Sequence, residues 1–235
     1  MYQVDWKVNF SECDDTLRMR YGGIIDSFQN CSNLQSESLG LGEGYLEKHH
    51  SAWLMDFWQV VIQRRPEAYE DIRVSTWASS FKGFFGTRNF KMETKQGEVL
   101  AYANSYWVFY DLEAKRPVRV PENEISGYGM EKPLDMEYAP RKIAVPEELE
   151  LVDEITVQKH HLDIYHHMNN AKYIETAYDY VDNTEIRQIC CQYKKQARLS
   201  DRIKIFRNVS EKCVTIVMKN AENDIYAIVS FDNKE

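Results

Sequence analysis

The chain has 235 residues, 43% of them hydrophobic and 13% aromatic, with a formal net charge of −8. That length buries a core as one large domain or two small ones, and the composition excludes a disordered chain. The acidic balance argues against a general nucleic-acid binder. Five cysteines without framework spacing (Cys13, Cys31, Cys190, Cys191 and Cys213) read as reduced thiols. No C-x-x-C pair marks a structural zinc, no apolar run reaches membrane-span length, and no signal-peptide pattern opens the chain. The expectation is a cytoplasmic protein with no membrane span.

Residues 2–10 alternate as a strand, with Val4, Trp6, Val8 and Phe10 on one face. A helix is predicted over 17–28, with Leu17, Tyr21, Ile24, Ile25 and Phe28 on one side. Gly22 and Gly23 weaken its propensity, so burial against a sheet has to hold it. A connection containing Gly40, Gly42 and Gly44 leads to strands at 52–62, 73–81, 87–94 and 99–110, the last two joined by a turn at 95–98. Strand, helix and antiparallel meander make an α+β layer, a sheet wrapped around one helix.

Residues 121–154 hold four of the six prolines (Pro121, Pro133, Pro140, Pro146) and ten acidic residues against three basic ones. That is linker composition. It sets a first domain at 1–120, a linker at 121–153 and a second domain at 154–235. In the second, a strand at 154–160 and a helix at 169–181 precede three strands: 186–195, 202–209 with its continuation 212–219, and 225–231. The order strand, helix, strands thus occurs twice. With Tyr21 laid over Tyr173, Asp14 and Asp15 stand where the second half has histidines, so the chemistry is expected in the second half alone.

The most informative stretch is His160-His161-Leu162-Asp163-Ile164-Tyr165-His166-His167-Met168-Asn169-Asn170, which holds four of the six histidines. Apolar residues at helical spacing follow (Ala171, Ile174, Ala177, Tyr178, Val181), and Asn169 or Asn170 is a natural N-cap. Acid–base groups at the positive end of a helix suit a reaction in which a carbonyl oxygen turns negative. Asp163, Tyr165 and His167 share a face if the segment is extended and converge if it turns into the helix. A carboxylate and an imidazole so placed can activate water and move a proton, and the helix N-terminus can supply a donor to an oxyanion. The same histidines read equally well as backbone caps. A metal set from His160, His161, Asp163, His166 and His167 has the right ligand types but not the two-turn helical spacing of a zinc hydrolase, so no metal is assigned. Further on, residues 187–219 hold nine Lys or Arg and two acids, either a solvated face or a docking patch for an acidic partner.

Residues 163–173 resemble the acyl-acyl carrier protein thioesterases of plants and bacteria, whose motif D-x-N-x-H-x-N-N-x-x-Y is met by Asp163, His167, Asn169, Asn170 and Tyr173. Residues 53–61, Arg65-Pro66 with the following 74–77, the strand at 103–108 and Arg119-Val120-Pro121-Glu122 are also similar to that family. The resemblance implies two tandem hotdog domains, each an antiparallel sheet around a long helix. It implies hydrolysis of the thioester between a fatty acyl chain and the phosphopantetheine arm of acyl carrier protein. Asp163 and His167 take the catalytic positions. The family's Asn between them is Tyr165 here, and the family's later carboxylate and cysteine are Gln196 and Ala197, which removes a cysteine nucleophile. The implied chemistry is direct water attack, with the backbone at Asn169-Asn170 receiving the oxyanion. Trp53, Phe57 and Trp77 would hold the acyl chain, and Lys194 and Lys195 would meet acyl carrier protein. No cofactor and no nucleic-acid partner is implied, and a homodimer is left open. Two other readings stand beside this one: a coenzyme A thioesterase of the same fold, and a non-catalytic acyl-thioester-binding protein.

Overall fold

The computed structural model describes residues 1–182 and 185–233. The last two residues of the expected second domain therefore lie outside the described residues. The chain forms two compact units, one of Met1–Asp56 and Ile62–Tyr138, the other of Phe57–Val61 and Ala139–Glu235.

The first unit opens with β1 (Tyr2–Lys7), in which Val4 and Trp6 alternate with exposed Gln3, Asp5 and Lys7. The strand ends there because Phe10–Glu12 turn into a short 3-10 helix, and Phe10 is exposed rather than on the inner face. Helix α1 (Tyr21–Ser38) starts later and runs further than the predicted 17–28, burying Tyr21, Ile24, Ile25, Phe28, Cys31 and Gln35 at helical spacing. Leu17 precedes it, exposed and with φ at 59°. Gly23 allows a close approach, since a Cβ there would stand 3.2 Å from Met19 Cγ. Next come α2 (Glu43–Lys48), β2 (Ser51–Ile62), β3 (Asp71–Lys82), β4 (Phe85–Thr94), β5 (Val99–Asp111), β6 (Arg116–Pro117) and α3 (Glu122–Tyr128). The strand order is β1-β3-β4-β5-β2, with β6 beside β5.

Antiparallel register sets Thr76, Phe90 and Ala103 in one row across β3, β4 and β5. Helix α1 lies on that face: the Phe28 ring is 5.2 Å from Phe90, and Gln35 accepts from buried Arg88. Each large apolar side chain buried there contributes about 1.5–3 kcal/mol, which is how a helix with two adjacent glycines is held.

Residues 121–153 are not a free linker. The 122–128 stretch is α3, and Asn89, one residue along β4 from Phe90, presents its amide on the opposite sheet face. There Asn89 Oδ1 accepts from Leu134 N at 3.1 Å, and Trp77 Nε1 donates to Lys132 O at 3.0 Å. In the second unit, Ala139 N donates to Gln59 Oε1 at 2.9 Å and Ile143 N to Gln192 Oε1 at 3.1 Å. A connection rich in proline has few amides to give a ladder, and side-chain amides on the sheets take those it has.

The second unit contains β7 (Glu150–Thr156), a 3-10 turn at Lys159–His161, α4 (Asn170–Tyr178), β8 (Ile186–Tyr193), β9 (Arg202–Val209), β10 (Cys213–Lys219) and β11 (Ile225–Asn233). The Phe57–Val61 stretch pairs with β8, and the order continues β11-β10-β9-β7. β9 and β10, expected as one interrupted strand, are separate antiparallel strands with Val209 opposite Val214. Ser210 makes the reversal: its hydroxyl donates to Cys213 O at 2.9 Å and accepts from Cys213 N at 3.1 Å. Helix α4 buries Ala171, Tyr173, Ile174 and Ala177. Each unit is thus an antiparallel sheet packed on one helix, the α+β hotdog arrangement.

Candidate active site

Asp163 ends a short connection after the 3-10 turn and makes its own tight turn. Its N–H donates to His167 O at 2.8 Å, and its carbonyl accepts from His166 N at 3.1 Å. Its Oδ1 accepts from Tyr165 N at 2.9 Å and His167 N at 3.1 Å, an Asx-type cap that an aspartate supplies readily. His166 at the tip takes φ 61°. Met168 N then donates to Ala197 O at 2.8 Å, and Asn169 caps α4, its Oδ1 accepting from Ala171 N at 2.8 Å.

The first unit contains the same turn. Asp14 N donates to Arg18 O at 2.9 Å, Thr16 N donates to Asp14 Oδ1 at 2.9 Å, Leu17 at the tip has φ 59°, and Met19 N donates to Pro66 O at 2.8 Å. The hydrogen bonds match Asp14 with Asp163, Arg18 with His167 and Pro66 with Ala197. Tyr21 therefore corresponds to Asn170 and not to Tyr173, which corrects the alignment read from the sequence. The first half does keep an aspartate, Asp14, at the position of Asp163.

The two aspartates differ in what opposes them. Arg65, next to Pro66, forms an ion pair with Asp14 Oδ2 and lies 5.0 Å over the Tyr21 ring. Burial pushes the Asp14 carboxyl up, but hydrogen bonds from Thr16 and Arg65 outweigh it and hold it at about 2. The residue matching Arg65 is Gln196, which is exposed. Asp163 Oδ2 has no partner among the described residues, and burial raises the Asp163 carboxyl above its ordinary value despite the His167 amide and the charges of His167 and His166. Burial lowers the half-buried His167 imidazole, with Asp163 opposing and Arg198 and His166 adding to the shift. A carboxylate moved up and an imidazole moved down bring two acid–base groups closer together in acidity at one helix mouth, which eases proton exchange between them.

The other singled-out residues divide. Tyr165 is 52% exposed and its hydroxyl has no partner among the described residues. Asn169's amide N–H donates to His161 O at 2.8 Å and its side-chain Oδ1 accepts from Ala171 N at the cap, so neither is free for an oxyanion. Asn170 opens α4, and its carbonyl accepts from Tyr193 Oη at 2.9 Å. His161 Nδ1 accepts from Gln158 N at 3.0 Å, the capping role, while His160 and His166 are exposed. Motif residue Tyr173 is buried, and its hydroxyl accepts from Ala197 N at 2.9 Å, fixing the turn that carries Gln196.

Trp53 packs 4.9 Å from the Phe109 ring and donates to Glu124 Oε2 at 3.2 Å in the first unit. Trp77 is in that unit too, whereas Phe57, expected in the first half, is a core residue of the second, opposite Gln192. Lys195 is 2.8 Å from Asp224 and Lys194 is exposed. The sequence did not single out Arg65 for its charge or Arg198 for its position. Both signals require knowing which turn faces which.

Residues 1–128 match the family model for the acyl-ACP thioesterase N-terminal domain, and residues 145–230 match the one for the C-terminal domain. The chain belongs to the acyl-ACP thioesterase family. It is 26% identical over 224 residues to a chloroplastic palmitoyl-acyl carrier protein thioesterase of Gossypium hirsutum, covering 86% of this chain and 52% of that one. The chain spans about half the length of the curated relatives it matches. An acyl-ACP thioesterase from Bacteroides thetaiotaomicron shares the fold at a TM-score of 0.90 and 21% identity, over 99% of this chain and 97% of that one. The 12:0-ACP thioesterase from Umbellularia californica does so at 0.86 and 15%, over 99% and 96%. Within this family fold, the turn with the unpaired aspartate lies in the part matched by the C-terminal model.

Proposed function

We propose that the chain hydrolyses the thioester of fatty acyl-acyl carrier protein, releasing the free fatty acid. The observation that carries this reading is the contrast between twin turns: Asp14 is neutralised by Arg65, whereas the residue matching Arg65 is the exposed, uncharged Gln196 and Asp163 keeps an Oδ2 with no partner among the described residues beside His167. The family supplies the thioester; the open carboxylate supplies the base.

Oδ1 of Asp163 is fixed by two amides, so Oδ2 has a defined direction. It accepts a proton from water as the water oxygen adds to the thioester carbonyl carbon. The C–S bond then breaks, the proton taken by Asp163 passes to His167, and His167 hands it to the departing pantetheine sulfur, so both side chains end as they began. Its lowered basicity makes the protonated imidazole a readier proton donor. Tyr165 and Gln196, both exposed, add no fixed donor to this scheme. The acyl chain is assigned to the aromatic first half through Trp53 and Trp77, whereas Phe57 is a core residue of the second unit. Acyl carrier protein is assigned to the basic turn at Lys194, with a lesser part for Lys195, whose charge Asp224 already meets.

Among the described residues no helix is long and apolar enough to cross a membrane. The five cysteines are free, which suits a reducing compartment; we place the chain in the cytoplasm, whereas the Gossypium hirsutum relative carries the description chloroplastic. The test is release of fatty acid from acyl carrier protein thioesters by the wild type and by Asp163→Ala and His167→Ala. Wild-type turnover in both variants would remove the assignment, and tight binding of acyl thioester with no wild-type turnover would favour a binding protein.

A further inference from the structure

We infer that Arg198 is a catalytic residue of the proposed reaction, its guanidinium taking the negative charge that develops on the thioester carbonyl oxygen. The inference rests on the hydrolase reading and adds a component that neither the motif nor the helix N-terminus provides. Arg198 and His167 face each other across an antiparallel bridge. Directly opposed residues project on the same side with Cβ atoms about 4.5–5.5 Å apart, so the guanidinium and the imidazole share one face.

The Arg198 guanidinium has no ion pair or hydrogen bond among the described residues, unlike three cations near it. Lys195 pairs with Asp224, Arg202 with Glu154 and Arg207 with Asp182. In the twin turn the matching bridge sets Arg18 against Glu67, opposite charges. In that turn Arg64 is held by Glu70 and Glu98, and Arg65 by Asp14. The second unit has replaced the acid of this pair with a cation and the cation with a titratable base. Facing side chains of that kind disfavour a second positive charge and favour an incoming anion.

The backbone beneath it is firm. Arg198 N donates to Asp201 Oδ2 at 2.9 Å, and Tyr226 Oη donates to the same oxygen at 3.0 Å. The turn is thus fixed by main chain while the side chain stays available. The need is also clear, because the Asn169 amide is committed to His161 O and Tyr165 offers no carboxamide. A carbonyl carbon attacked by water from Asp163 needs a positive group on its oxygen side, and a preorganised cation is among the larger contributions to such a step.

The test compares the wild type with Arg198→Gln, Arg198→Lys and Arg198→Ala on one acyl carrier protein thioester and one short thioester lacking the carrier protein. Arg198→Gln should lower kcat about a hundredfold on both substrates while KM changes by less than about twofold. Arg198→Lys should keep most of the rate, and added guanidinium should restore part of it to Arg198→Ala. His167 is faced by Asp163, His166 and Arg198, so pH separates the roles. If the Arg198→Gln rate recovers fully at higher or lower pH, the arginine acts only through the imidazole and the inference falls. Unchanged kcat in Arg198→Gln, or a loss on carrier-protein substrate alone, also overturns it. A wild type that hydrolyses neither substrate removes the hydrolase reading and this inference with it; an active wild type with an equally active variant removes the inference alone.

Discussion

Changing the two twin aspartates to asparagine should separate stability from activity. Asp14→Asn keeps an oxygen to accept from Thr16 but removes the charge that meets Arg65. The Asp14 carboxyl is held at about 2 against an ordinary 3.8. At 1.36 kcal/mol per pKa unit that difference is about 2.5 kcal/mol. The two side chains keep 24% and 13% exposure, and solvent screening reduces the figure to about 1–2 kcal/mol. Because the folded value is depressed, this stability is present above the unfolded value and is lost as pH falls toward about 2. For a chain of this size the expected loss at pH 7 is about 2–8 °C in Tm, shrinking as the buffer is acidified, with turnover unchanged. Asp163→Asn should do the reverse. The raised carboxyl means that the ionised form costs stability above its folded value, so Tm at pH 7 should stay level or rise, and the difference should vanish in acid. Loss of the base should cut kcat by about 10²–10⁴. Thermal melts by circular dichroism at pH 7 and pH 3, with acyl-thioester turnover, read all of this. If Asp14→Asn loses turnover as Asp163→Asn does, or melts with the wild type at pH 7, the contrast between the turns is not the basis of the activity.

The pH profile of kcat/KM should have an acid limb set by the lowered His167 and the raised Asp163. Activity should hold below pH 6.5 and fall as these two protonate; a limb above pH 7 would show that His167 is not shifted down. Tyr173→Phe removes the acceptor of Ala197 N and should cost about 1–3 kcal/mol in denaturant unfolding, with kcat falling as well because the Gln196 turn loosens; an unchanged midpoint would deny the latch. Lys194→Glu should raise KM for acyl carrier protein substrates and spare short thioesters. Lys195→Glu should do less in steady-state assays, since Asp224 already takes part of that charge; equal effects on both substrates would place docking elsewhere.

The strands at 52–62, 73–81, 87–94 and 99–110 were legible because alternation and β-branched or aromatic content report a half-buried pleat directly. Residues 163–173 were legible as a candidate site because an aspartate, histidines and asparagines stand at the mouth of an apolar-faced helix, a local pattern. What failed was non-local or depended on left-handed backbone. Leu17 reads as a helix residue until its φ of 59° places it at a turn tip. Residues 121–153 read as linker until Asn89, Gln59 and Gln192 are seen holding their amides. By itself the sequence determined the repeated sheet-and-helix plan and the turn that bears the aspartate. Only the tertiary structure decided which aspartate is open, because Arg65 meets Asp14 from a segment far away in the chain, while the matching position, Gln196, is exposed and carries no charge.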